Sequence, residues 1–99
     1  MSAPIPANGL AIAGEFTIYR AAELCGLLRA AAAPAGDLSL DLAEVTECDS
    51  AGVQLLLATA RALEHGGARL SLAAASAPVR DALQALGLAS RIPCPGETP

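Results

Sequence analysis

The apolar residues of this chain change period several times, and each change marks an element. Pro4 and Pro6 leave room for at most a short edge strand at about residues 3–7, followed by the hairpin dipeptide Asn8-Gly9. Leu10-Ala11-Ile12-Ala13-Gly14 then reads as a strand extending to about Thr17. From Ile18 the period lengthens. Ile18, Ala21, Ala22, Leu24, Cys25 and Leu28 fall together, with Arg20, Glu23 and Arg29 elsewhere. This predicts a helix over about 18–33, capped by Thr17 and stopped at Pro34-Ala35-Gly36.

Leu38-Ser39-Leu40-Asp41-Leu42 alternates with period two and suits the centre of a sheet. Residues 43–48, with Glu44 and Glu47, read as a carboxylate-rich loop. The turn Asp49-Ser50-Ala51-Gly52 opens a long helical run over about 53–65. Val53, Leu56, Leu57, Ala60 and Leu63 form its inward stripe, and Ala51, Gln54, Ala58, Arg61 and His65 lie opposite. Gly66-Gly67 ends it, as a helix C-cap should. Residues 68–74 alternate again. Ser76 is placed to cap a third helix over about 79–86, with Pro78 in its first turn, Gly87 closing it and Leu88 tucked behind. Residues 90–92 suit a short edge strand, and Pro93-Cys94-Pro95-Gly96 begins a tail over 93–99. Strands separated by helices need crossover connections. The expected class is therefore α/β: a mainly parallel sheet of four to five strands with about three helices.

Composition narrows the functional classes. At 99 residues there is room for one domain, expected to span 1–99 with an edge segment at 1–9 and the tail at 93–99. Charged residues are 16%, well under the usual quarter, so much of the surface is apolar and a protein partner is expected. The formal net charge is −4, and all six basic residues are arginines scattered singly. Nothing here neutralises a polyanion, which argues against nucleic acid as a partner. No apolar run approaches the ~20 residues that span a bilayer. Met1–Pro6 also lacks the positive and apolar regions of a signal peptide, so no membrane insertion and a cytoplasmic location are expected. Cys25, Cys48 and Cys94 are widely spaced and the one histidine, His65, is at ligand spacing from none of them. No metal and no cofactor are expected. Cys25 and Cys48 read as small buried hydrophobes and Cys94 as an exposed thiol.

In this order of elements, the Asp49-Ser50-Ala51-Gly52 turn and Gly66-Gly67 resemble the STAS domain, the fold of bacterial anti-sigma factor antagonists. Ser76-Ala77-Pro78-Val79, Leu83 and Leu86-Gly87-Leu88 are similar to the third helix of that family and its closing Gly-Leu. The resemblance covers about residues 10–92, and the last helix of the longer antagonists is missing. Ala51 stands where the best-known phosphorylated members carry a second hydroxyl. In this the chain looks more like the small stand-alone domains found with chemotaxis signalling proteins, or like the STAS subunit of a bacterial lipid-transport ABC system.

Two readings stay open for Ser50. It is either a helix N-cap whose hydroxyl accepts from the Gly52 or Val53 amide, or a phosphorylation point at an exposed helix start. In the second reading a phosphate brings about −2 charges beside Asp49, Glu47 and Glu44 and opposes docking of a partner. The resemblance implies a protein-interaction module that binds a serine kinase/anti-sigma factor, a chemotaxis-type signalling protein or, without switching, the ATPase of a lipid-transport system. The contact residues it implies are Asp49, Ser50, Ala51, Gln54, Ala58 and Arg61. Leu55 is either an anchor in that surface or an ordinary flank of the core. No catalytic residue is expected, because Ser50 lies about 22 Å along the helix from His65.

Overall fold

A computed structural model of the chain describes residues 9–33, 36–88 and 91–92. Its strands are β1 (Gly9–Phe16), β2 (Leu38–Cys48) and β3 (Leu70–Ala75), all parallel, in the order β1-β2-β3. Its helices are α1 (Ala21–Ala32), preceded by a 3-10 turn at Ile18–Arg20, then α2 (Ser50–His65) and α3 (Ala77–Ala85). This is the expected α/β class with a parallel sheet and three helices. The expected edge strand near residues 3–7 lies outside the described residues, as do Ser90, Cys94 and the tail. Arg91 lies in a turn whose amide donates to the Leu88 carbonyl, and Ile92 is buried in a bend.

Both βαβ connections advance across the sheet in the same direction. Right-handed crossovers then put α1 and α2 on one face, where they pack on each other. That face supplies the core: Ile12 and Phe16 from β1, Leu40 and Leu42 from β2, Leu70 and Leu72 from β3. Leu24, Leu28, Val53, Leu56, Val79 and Leu83 of the helices cover them. The other face carries small or polar residues, among them Ala11, Ala13, Ser39, Asp41 and Ser71.

Residues 43–48 are strand and not loop. Two register shifts in the β1–β2 ladder give β2 more residues than the β1 stretch it pairs with. Leu42 and Val45, three apart, are therefore both buried while Glu44 and Glu47 point to solvent. The period-two signal is broken by bulging, so the carboxylates imitate a loop. β1 is irregular to match. Gly14 has φ +85°, and the Arg20 guanidinium donates to the Ala13 and Glu15 carbonyls on either side of it, at 2.7 and 2.8 Å. Arg20 also pairs with Glu23 at 3.0 Å, which holds the Glu23 carboxyl below its usual range.

α2 and α3 end alike. The Ala68 amide donates to the Leu63 carbonyl and the Gly67 amide to that of Glu64, with Gly67 at φ +80°. Leu88 and Gly87 repeat the pattern on Leu83 and Gln84, with Gly87 at φ +70°. Both are Schellman closures, in which glycine takes the left-handed position. Ser76 occupies the N-cap position of α3, but its hydroxyl caps nothing and is buried without a partner among the described residues. Its amide instead donates to the Leu42 carbonyl and ties the helix start to β2.

Candidate functional site

The C-terminal ends of β1 and β2 meet the start of α2, and one carboxylate joins them. Asp49 is extended, which turns its side chain back over the first turn of the helix. Its Oδ1 accepts from the Gly52 amide at 2.9 Å and its Oδ2 from the Ile18 amide at 3.1 Å. Donation from Gly52 first, then Ile18, holds the Asp49 carboxyl below the usual carboxylate range. Asp49 therefore caps α2, and Ser50 does not. Ser50 is the first helical residue and is exposed. Thr17 likewise does not cap α1. It is buried, makes no capping hydrogen bond, and its hydroxyl lies 3.4 Å from a Glu15 carboxylate oxygen. The Ile18 amide next to it is held instead by Asp49, from 31 positions further along the chain.

Gly52 explains why the turn sits so close to β1. A Cβ there would run into the Phe16 carbonyl oxygen and stand 2.7 Å from a ring carbon of Phe16. A glycine lets the helix backbone approach the strand end at that point. Cys48, the last residue of β2, is half-buried, as is Cys25, so both are less buried than expected. Burial, with the Asp49 charge second, pushes the Cys48 thiol up to about 11. It stays protonated at neutral pH and is a poor nucleophile.

From this turn α2 presents its outer side to solvent. Gln54, Ala58, Arg61 and His65 are exposed, and Ala51 and Leu55 are half-buried. Leu55 packs on the core, as a flank of it does, and also borders a groove against α1. The inward stripe is Gly52, Val53, Leu56, Thr59 and Leu63, with Leu57 and Ala60 at its margins. Thr59 is the polar member missed by periodicity. Its hydroxyl donates to the Leu55 carbonyl at 2.8 Å and so needs no outside partner.

Ile18 and Tyr19 were also hidden from sequence. Ile18 reads as the first inward position of a helix, yet it is 59% exposed and Tyr19 is 88% exposed. The 3-10 turn shifts both out of the α1 stripe, and the Asp49 bond fixes this exposed apolar pair beside Ser50. His65 lies at the other end of α2 from Ser50. Among the described residues no three His, Cys, Asp or Glu side chains gather as metal ligands. No helix there is long and apolar enough to cross a membrane.

A family model described as Mlab, STAS domain matches residues 5–93. A search of curated proteins finds no match to this chain. The matched span takes in β1 to β3, α1 to α3 and the Asp49 turn. The chain thus belongs to the STAS domain family, whose members serve in protein–protein interaction.

Proposed function

We propose that this chain is a non-enzymatic interaction module of the bacterial cytoplasm that docks a protein partner through the start and outer side of α2. Ser50 is its candidate phosphorylation point. The observation that carries the reading is the exposure of Ser50 at the first helical position, with the small side chain of Ala51 next to it and that of Ala58 about two turns further along the helix. Small residues there let another backbone come close, Gln54 offers hydrogen bonds, and Arg61 adds a charge at the rim. A phosphate on Ser50 is tolerated by the helix dipole. The Gly52 amide is already taken by Asp49, so the new charge gains little inside the fold. Its main effect falls on whatever docks, through repulsion and desolvation. The partner class is a serine kinase/anti-sigma factor or a chemotaxis-type signalling protein.

A second reading rests on Ala51. With no second hydroxyl in the turn, the site also suits a constitutive contact, as for a STAS subunit held on the ATPase of a lipid-transport ABC system. Affinity capture from native lysate, with intact mass of the bait, separates the two. The switching reading expects a kinase-like or chemotaxis prey, a phosphorylated fraction of the bait, and loss of capture for Ser50→Asp. An ATPase prey, an unmodified bait and unchanged capture by Ser50→Asp support the constitutive reading. Ala58→Trp abolishes capture in both while the fold survives. Full capture by that folded variant excludes the α2 face.

A further inference from the structure

Between α1 and α2 lies a groove of about 260 Å³, bordered by Cys25, Leu28 and Arg29 on one side and Leu55, Ala58 and Ala62 on the other. Its base is apolar: Leu28 is buried, and the Thr59 hydroxyl is turned back to the Leu55 carbonyl. The volume is under the range of small-molecule and cofactor pockets but suits an inserted side chain. Its one charged lining residue is Arg29, which stands on the α1 rim, exposed and without an ion-pair partner among the described residues. The acidic residue of α1, Glu23, is held by Arg20. The exposed carboxylates Glu44 and Glu47 belong to β2, in its C-terminal half.

We propose that this groove receives a large apolar side chain from an acidic segment of the protein partner, with a carboxylate of that segment meeting Arg29. This rests on the reading of α2 as the docking face and extends that face toward α1. The complementarity also sets the direction of choice. A chain of net charge −4 repels acidic proteins in general. An acidic segment therefore gains from this groove, with Arg29 on its rim, and from little else on the surface.

Cys25 makes the proposal testable without knowing the partner. The Cys48 thiol is protonated at neutral pH. Replacing Cys94 by Ser leaves Cys25, whose thiolate attacks the peptide sulfur of peptides supplied as mixed disulfides with β-mercaptoethanol and displaces that thiol, under a fixed excess of free β-mercaptoethanol. The peptides are acetyl-Cys-Leu-Glu-Glu-amide, its Leu-Lys-Lys counterpart and its Ser-Glu-Glu counterpart. The expected result is roughly threefold higher capture of the acidic peptide than of the basic one. Replacing its Leu by Ser lowers capture about tenfold. Arg29→Gln removes the charge preference, and Ala62→Trp fills the groove and lowers capture of all three. Equal capture of acidic and basic peptides overturns the proposal, as does a preference that survives Arg29→Gln. Oleate bound in the groove in place of the peptides, or a dimer lost on Ala62→Trp, assigns the groove to a lipid or a second copy and overturns it too. Peptide capture at Cys25 reads the groove, whereas capture of the native partner and its loss in Ser50→Asp read the start of α2. The groove can therefore fail while the Ser50 reading stands, and the reverse.

Discussion

One helix makes two very different seams. At its start α2 touches β1 so closely that position 52 accepts no side-chain carbon, and the Asp49 carboxylate ties both elements. Along its middle the same helix stands off from α1 and leaves a groove, although the facing residues include Cys25, Ala58 and Ala62. Small residues thus have opposite consequences in the two places. Gly52 is small because a neighbour fills the space. Ala58 and Ala62 are small with no neighbour from the fold to fill it. A tight seam fixes where Ser50 sits, and an open one leaves surface for something else to occupy.

The sharpest way to break this comparison is to add one methyl group to each kind of site. Gly52→Ala places a carbon against the Phe16 backbone, which has no rotamer by which to escape. The expected cost is about 3 kcal/mol or more. For a domain of this size the melting temperature then falls by roughly 12 °C or more. A thermal melt showing a drop of under a few degrees removes the tight seam from the account.

Asp49→Ala comes next. It strips the acceptor from two amides in different elements, with an expected loss of about 1–2 kcal/mol in urea denaturation. The pH dependence carries the same signature with a definite sign. The folded-state pKa is depressed by the Gly52 and Ile18 amides, so the stabilisation is complete above the ordinary aspartate value of about 3.9. It is lost as pH falls through the lower folded value. Asp49→Asn cannot lose it in that way, and the stability gap between wild type and this variant narrows below about pH 4. A gap constant from pH 7 to pH 3 contradicts the bridging role.

How much of this was legible beforehand depended on the distance between cause and effect. The two Schellman closures could be read because Gly67 and Gly87 act on carbonyls a few residues away. The Asp49-Ser50-Ala51-Gly52 turn could be placed for the same reason, but the division of labour within it could not. What makes Asp49 the cap is partly the Ile18 amide, which comes from another element. Thr17 looked like a cap for want of that knowledge. Residues 43–48 looked like a loop because the bulges in their pairing with β1 spoil the alternation that identifies strands. The exposed face of α2 followed from periodicity alone. The groove beside it depends on the spacing of two helices and leaves no trace in either one.

Gly26 sharpens the comparison from the other side. It is exposed in the middle of α1 and a Cβ there meets nothing within 4 Å. Gly26→Ala should raise stability by about 0.5–1 kcal/mol, because alanine restricts the unfolded chain and favours helix. The same substitution thus has opposite signs in α1 and α2. A destabilised Gly26→Ala protein indicates a packing demand on α1 beyond the described contacts.

The smallest effect tests the base of the groove. Thr59 is buried, and its hydroxyl donates to a carbonyl one turn back in its own helix. Thr59→Val removes the donor without orphaning that carbonyl, since the helical amide of residue 59 still serves it. The lost hydrogen bond and the gained methyl group act in opposite directions. Stability by urea denaturation is expected to stay within about 0.5 kcal/mol of wild type. The base of the groove becomes wholly apolar, so capture of a leucine-bearing peptide at Cys25 holds or rises slightly. If instead the variant loses much more stability than this, the hydroxyl answers to a polar neighbour. The groove between α1 and α2 is then wetter than its lining suggests, and an apolar side chain is the wrong occupant for it.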